Sequence, residues 1–333
     1  MTRVAPLSAC VRAAVLVLPD TTMRISTVLL AVLLLAKGLP LSAATSAPTV
    51  LTPTAKVPAE FDTHGLPFST VLIGRDRFDA LVARATPAVG LPIGQRVAVI
   101  GRALAGTPYR GFTLEIDDRI EAPSVNFLGL DCWTFFEVSL AFARMLDEPR
   151  EAWTPQTMLK YIELDRYRGG KCTGYLSRLH YLEDWAQDNE RRGLVRDLTR
   201  ELGGVRGPHA AIEMQRAWKG YRYMRNNPDL FAGIAAMENR LARTPLYYIP
   251  NDRVAAIEPQ LLSGDIISIC SHDGGMIGTS HVGLAYRTPD GVLRLMHASA
   301  PRNSGKVILD QRLSGYLNHF STTAGIMVAR PLR

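Results

Sequence analysis

Hydrophobic and polar positions change rhythm along the chain. From 75 to 104 apolar residues recur at helical spacing, first Phe78, Leu81 and Val82, then Val97, Val99, Ile100 and Leu104, with breaks near Pro87 and Pro92. A second helix is predicted from 132 to about 145. The stretch from about 155 to 243 keeps a helical pattern, is rich in Arg, Tyr and Trp, and reads as a helical insertion or cap. Beyond it the period shortens. Runs at 265–270, 281–286, 293–297, 306–309 and 325–328 alternate with Asp273-Gly274-Gly275, Pro289-Asp290-Gly291 and Asn303-Ser304-Gly305, which predicts strands joined by tight turns in an antiparallel sheet. Helices first and antiparallel strands last define an α+β class.

The N-terminal pattern is of another kind. The apolar run reaches only from Ile25 to Ala36, between Arg24 and Lys37, short of the ~18 residues that span a bilayer. Small residues Ser42, Ala43 and Ala44 follow, so residues 1–44 read as a secretory signal peptide. Met23 begins an ordinary n-region and is the expected translation start. Residues 45–68, rich in Thr, Pro and Ala at their start, read as a linker, and 69–333 as one catalytic domain. After cleavage no integral membrane segment is expected, and the product would sit in the periplasm or cell envelope, or be secreted.

Composition narrows the partners. The 333 residues carry 38 Lys plus Arg against 31 Asp plus Glu, a net +7 without a concentrated basic stripe, so nucleic acid is not an expected partner. Loss of the leader, with Arg3, Arg12, Arg24, Lys37 and Asp20, lowers the charge to +4, which suits loose attraction to an anionic cell wall. The four cysteines, at 10, 132, 172 and 270, share no C-x-x-C spacing, against a structural zinc site. Export raises the question of a Cys172–Cys270 disulfide.

Candidate chemistry centres on Leu130-Asp131-Cys132. Asp131 is the right residue for a helix N-cap, and a cysteine in the first turn gains from unsatisfied N–H groups and the positive dipole end, which favour thiolate. A thiol nucleophile needs a base. If Pro289-Asp290-Gly291 is a three-residue loop, Thr288 faces Val292, and His281 and His297 become diagonal neighbours on one sheet face, roughly 7–8 Å apart at the backbone. The second ring then orients the first, as in a Cys-His-X constellation. A two-residue turn would put them on opposite faces. His272, Asp273, His281 and His297 are also possible zinc ligands, but their spacing fits no common pattern and would leave Cys132 idle, so no metal or other cofactor is expected.

The order of short motifs resembles the NlpC-type cell-wall amidases and peptidases of the papain-like superfamily, in the N-acetylmuramoyl-L-alanine amidase-like branch. The resemblance runs from about 75 to 332. It is carried by Gly106-Thr107-Pro108-Tyr109, by Leu130-Asp131-Cys132 with Thr134 and Glu137, and by Ser177-Arg178-Leu179-His180-Tyr181 with Trp185 and Asn189. Gly264-Asp265-Ile266-Ile267, Ser280-His281-Val282-Gly283, His297-Ala298-Ser299 and 325–331 complete it. It implies a papain-like fold with the nucleophile helix packed on the antiparallel sheet, Cys132 as nucleophile, His281 as general base and acid, and His297 as its orienting residue. It further implies Tyr109 beside the oxyanion, helped by the Cys132 N–H. Asp131 is either a cap or a substrate-binding residue, and Arg178 is a candidate for a peptide-stem carboxylate. Trp133 follows the cysteine where most of the superfamily has a small residue. The implied activity is cleavage of the lactyl–L-alanine amide in peptidoglycan or muropeptides. A γ-D-glutamyl-diamino-acid endopeptidase and a non-catalytic muropeptide-binding protein are the alternatives.

Overall fold

Local sequence sets where the main helices start. Asp131 accepts the Thr134 N–H at 2.8 Å while the Thr134 hydroxyl accepts the Asp131 N–H at 2.9 Å, a reciprocal capping box. Thr154 caps Thr157 N–H at 3.2 Å, with Pro155 at the first helical position.

The computed structural model describes residues 61–209 and 211–332; the expected signal peptide, its start at Met23 and most of the linker lie outside the described residues. The first elements are α1 (Phe68–Val71), β1 (Leu72–Ile73), α2 (Arg75–Arg84), α3 (Ile93–Ala103), β2 (Val125–Asn126), α4 (Cys132–Met145), α5 (Pro155–Arg166) and α6 (Leu182–Arg191). Then come β3 (Val195–Asp197), β4 (Val205–Gly207), α7 (Glu213–Ala217), α8 (Arg222–Asn226), α9 (Leu230–Arg243), β5 (Leu246–Pro250) and α10 (Asn251–Ile257). The chain closes with β6 (Ile266–Asp273), β7 (Met276–Arg287), β8 (Leu293–Ala298), β9 (Val307–Arg312), α11 (Leu313–Asn318) and β10 (Thr323–Pro331). No helix among the described residues is long and apolar enough to cross a membrane.

The large sheet runs β4-β5-β10-β6-β7-β8-β9, with β3 on β10, and its pairings are antiparallel. β1 and β2 pair separately, in parallel. Helices cover both faces of the large sheet. Ile266, Val282, Leu284 and Met296 point into a core shared with α3, α4 and α5, while Ile267, Ile269, Ala285 and Leu295 meet Val254, Leu313 and Leu317 from α10 and α11. This two-sided burial explains the continuous apolar run in β6, where a sheet covered on one face would alternate. Helix α4 is buried along its whole length except at Trp133, so it is apolar nearly all round.

Two buried ion pairs fix α4 against α5. Arg166 donates to Glu137 at 2.9 Å, and Arg144 to Asp165 at 3.0 Å, every one of these side chains at most 3% exposed. Gly264 marks where α3 meets the sheet: its φ is +91°, and a Cβ there would lie 1.9 Å from the Gly94 carbonyl oxygen.

Two expectations need correction, and one open question is answered. The linker does not extend to 68, since Phe61, Leu66 and Phe68 pack on the main core and domain structure begins earlier. The stretch 155–243 is not one helical insertion. Helices α5 and α6 belong to the main core, β3 and β4 extend the sheet, and only the part from about 211 to 243 forms a separate apolar cluster around Met214, Tyr223, Ile234 and Met237. Cys172 and Cys270 are both buried and free. They sit in different places, Cys172 donating to the Glu121 carbonyl and Cys270 packed with Leu246 and Ile277, so the disulfide is not formed.

Candidate active site

A cleft opens where the first turn of α4, the strand β7 and the 211–243 cap converge. Cys132, Asp131 and Trp133 line it from α4, Thr279, Ser280 and His281 from β7, and Glu213, Met214 and Tyr221 from the cap, with residues 178–182 between them. Cys132 is the first residue of α4, so its own N–H is one of the first-turn amides that have no acceptor within the helix itself, at the positive end of the helix dipole.

A β-bulge aims His281. On β6 and β7, Ile269 pairs with His281 but Cys270 with Thr279, which leaves Ser280 as the extra residue. Four consecutive residues, Thr279 to Val282, line one cleft, which a regular strand with alternating faces would not allow. The Ser280 hydroxyl meets Ser271 Oγ at 2.7 Å inside the bulge.

The hairpin after β7 is the three-residue loop expected. Thr288 N–H donates to the Val292 carbonyl at 3.0 Å, Leu284 pairs with Met296 and Ala285 with Leu295, and Gly291 takes a positive φ of 83°. His281 and His297 accordingly share a face, with His281 Nε2 and His297 Nδ1 2.6 Å apart and the rings edge to face. Gly283 makes room for this: a Cβ there would come within 3.0 Å of His297 Cβ and 2.7 Å of the Met296 carbonyl oxygen. Burial above all, then the neighbouring His297 and Arg302, hold the His281 imidazole well below its usual pKa, with Asp310 pulling the other way. The ring is therefore neutral near pH 7 and able to accept a proton.

The chain of polar groups continues to a residue that sequence reasoning missed. His297 Nε2 lies 3.1 Å from Asp310 Oδ2, and Tyr316 packs edge-on against His297 and parallel to His281. No spacing rule points to Asp310.

The remaining candidates have more structural roles. Asp131 lines the cleft, but its carboxylate is taken by the Thr134 N–H and hydroxyl, both at 2.8 Å; burial raises its pKa against those bonds. Arg178 lines the cleft too. It is 6% exposed, and its Nε and Nη2 grip Glu121 while Nη1 reaches Glu115 at 3.3 Å, so its bidentate edge already holds a carboxylate of the protein. That corrects the expectation of a guanidinium fork open to substrate. Tyr109 contributes backbone: its N–H donates to Gly305 at 2.7 Å, and Leu130 N–H donates to Pro108 at 3.0 Å, tying the Gly-Thr-Pro-Tyr segment to the residues just before the nucleophile. Among the described residues no group of three or more His, Cys, Asp or Glu is placed to hold a metal.

A helix-borne cysteine and a strand-borne histidine thus line one cleft, and comparison with known proteins gives the family. Residues 99–325 match the AmiA-like family, described as N-acetylmuramoyl-L-alanine amidase-like, and the chain belongs to it. An N-acetylmuramoyl-L-alanine amidase from Bacteroides uniformis is 28% identical, with 72% of this chain and 99% of that chain covered and a TM-score of 0.65. A Bacteroides fragilis protein proposed as a xylanase is 32% identical, over 69% of this chain and 98% of its own, with a TM-score of 0.61. A Legionella pneumophila protein of family DUF1460, at 20% identity, 78% and 94% coverage and a TM-score of 0.57, shares the fold. No curated protein matches. Family and neighbours together support a hydrolase of peptidoglycan type.

Proposed function

We propose that the protein is an exported cysteine amidase of the NlpC-type, papain-like superfamily that cleaves the N-acetylmuramoyl-L-alanine bond of peptidoglycan or muropeptides. The observation that carries this reading is Cys132 on the first turn of α4, lining one cleft with a neutral His281 whose Nε2 meets His297. The family match and the Bacteroides uniformis amidase supply the substrate class, and the apolar run at 25–36 supports export.

In the mechanism, His281 takes the Cys132 proton and the thiolate attacks the amide carbonyl, placing negative charge on its oxygen. The Cys132 N–H, in the first turn of α4, is the donor for that oxygen in this reading. The C–N bond breaks as His281 returns its proton to the leaving L-alanine nitrogen, which leaves a thioester between the lactyl carbonyl and Sγ. Water, deprotonated by His281, then attacks the thioester; the acid departs and the thiol is restored.

Incubating the mature chain with defined muropeptides and weighing the products by mass spectrometry tests the bond assignment. A free muramic sugar with an intact peptide stem is the expected result. Scission after the D-glutamyl residue would replace the amidase reading with the endopeptidase one.

A further inference from the structure

Strands β8 and β9 pair with a shift in register: Met296 faces Leu309, but Arg294 faces Arg312. Asp310 and Gln311 together therefore stand opposite Leu295, a second β-bulge at the edge of the site. Within it the Gln311 N–H donates to Asp310 Oδ1 at 2.7 Å, which fixes the carboxylate with Oδ2 3.1 Å from His297 Nε2. The imidazole of His297 is wholly buried while the Asp310 side chain is 27% exposed.

We propose that Asp310 is a positioning residue that sets the protons on both histidines, leaving His281 with a bare Nδ1 as the base for Cys132. This rests on the reading of Cys132 and His281 as nucleophile and base. An ionised carboxylate only accepts hydrogen bonds. The contact with Asp310 therefore requires a proton on His297 Nε2, and a neutral His297 then has a lone pair on Nδ1. Across the 2.6 Å contact, His281 Nε2 must be the donor. Its remaining nitrogen, Nδ1, is unprotonated. The hydrogen bond to His297 also keeps the Asp310 carboxyl below its usual pKa, so the anchor is charged near neutral pH. When His281 becomes imidazolium, its charge is felt by Asp310 through a polarised hydrogen-bond chain. Tyr316, packed on both rings, closes the chain on the side of α11. The charges that shift His281 are His297, Arg302 and Asp310, of which Asp310 is the acid; Tyr316 stacks on the ring, and Cys132, Asp131, Glu115, Glu213 and Arg178 line the same cleft.

The test has two arms. ¹⁵N NMR of the histidine-labelled wild-type chain at pH 7, which needs no substrate, is expected to show both His281 and His297 as the Nε2–H tautomer. A proton on Nδ1 of His297 would overturn the proposal whatever the substrate. In kinetics on the muropeptide that the enzyme cleaves, Asp310→Asn is expected to lower kcat roughly 10- to 100-fold, less than the ~10⁴ lost when the residue bonded directly to the catalytic histidine is neutralised in serine proteases. KM should stay within about twofold, the acid limb of the kcat/KM profile should move to lower pH, and Asp310→Glu should recover most of the rate. Unchanged kcat and pH profile in Asp310→Asn, or no recovery in a folded Asp310→Glu, would overturn it. If no muropeptide is cleaved but the tautomers are as expected, the function reading fails and the proton arrangement stands.

Discussion

Replacing Arg166 with methionine tests how the nucleophile helix is held. Arg166 donates Nε–H to Glu137 Oε2 and Nη1–H to the Ser124 carbonyl, both at 2.9 Å, and the two charged side chains are each 1% exposed. Removing the guanidinium leaves the Glu137 carboxylate buried on α4, about one and a half turns from Cys132, without its counter-charge. Breaking such a pair costs about 3–5 kcal/mol, mostly the penalty of the stranded charge. Against a typical total stability of about 5–15 kcal/mol that is about a fifth or more. The double variant Glu137→Leu/Arg166→Met strands no charge and should recover most of the loss. Urea unfolding at pH 7, followed by tryptophan fluorescence, measures all four corners of the cycle. A loss under about 1 kcal/mol for Arg166→Met, or a double variant whose loss equals the sum of the two singles, would refute the reasoning.

Two further outcomes follow from buried groups. Burial and the nearby Glu183, Asp273 and Glu238 raise the Glu213 carboxyl from 4.5 to about 7, with Arg216 opposing. The folded state then holds this proton more tightly than the unfolded chain, so stability is lost as pH rises from 4.5 through 7. Glu213→Gln should match the wild type in urea at pH 4 and exceed it by up to about 3 kcal/mol at pH 8.5, whereas a pH-independent difference would contradict the assignment. Burial also pushes the Cys172 thiol up to about 11 and Cys270 higher still. Iodoacetamide at pH 8 should therefore label both slowly in the native protein and rapidly in urea; fast native labelling of either, located by peptide mass mapping, would show that it is not sealed in the core.

Much of the site can be read from sequence because its determinants are local. Asp131 and Thr134 lie one helical turn apart, and Pro289-Asp290-Gly291 fixes the register that brings His281 beside His297. What cannot be read is non-local or depends on irregular strands. Ser280 and Asp310 owe their directions to bulges, which shift a register that simple alternation would extend unbroken. Arg178 looks open in sequence, yet its partner Glu121 lies 57 positions away. Strands β3, β4 and β5 are short and embedded in an Arg- and Tyr-rich region, so pairing with β10 and with each other, not intrinsic pattern, makes them strands.

The central claim, a thiol mechanism at Cys132, is met most directly by Cys132→Ala compared with wild type on one muropeptide that the wild type hydrolyses. Turnover is followed by mass spectrometry and binding by calorimetry. Complete loss of hydrolysis with muropeptide affinity retained is the predicted result. Hydrolysis by Cys132→Ala at the wild-type rate would contradict it.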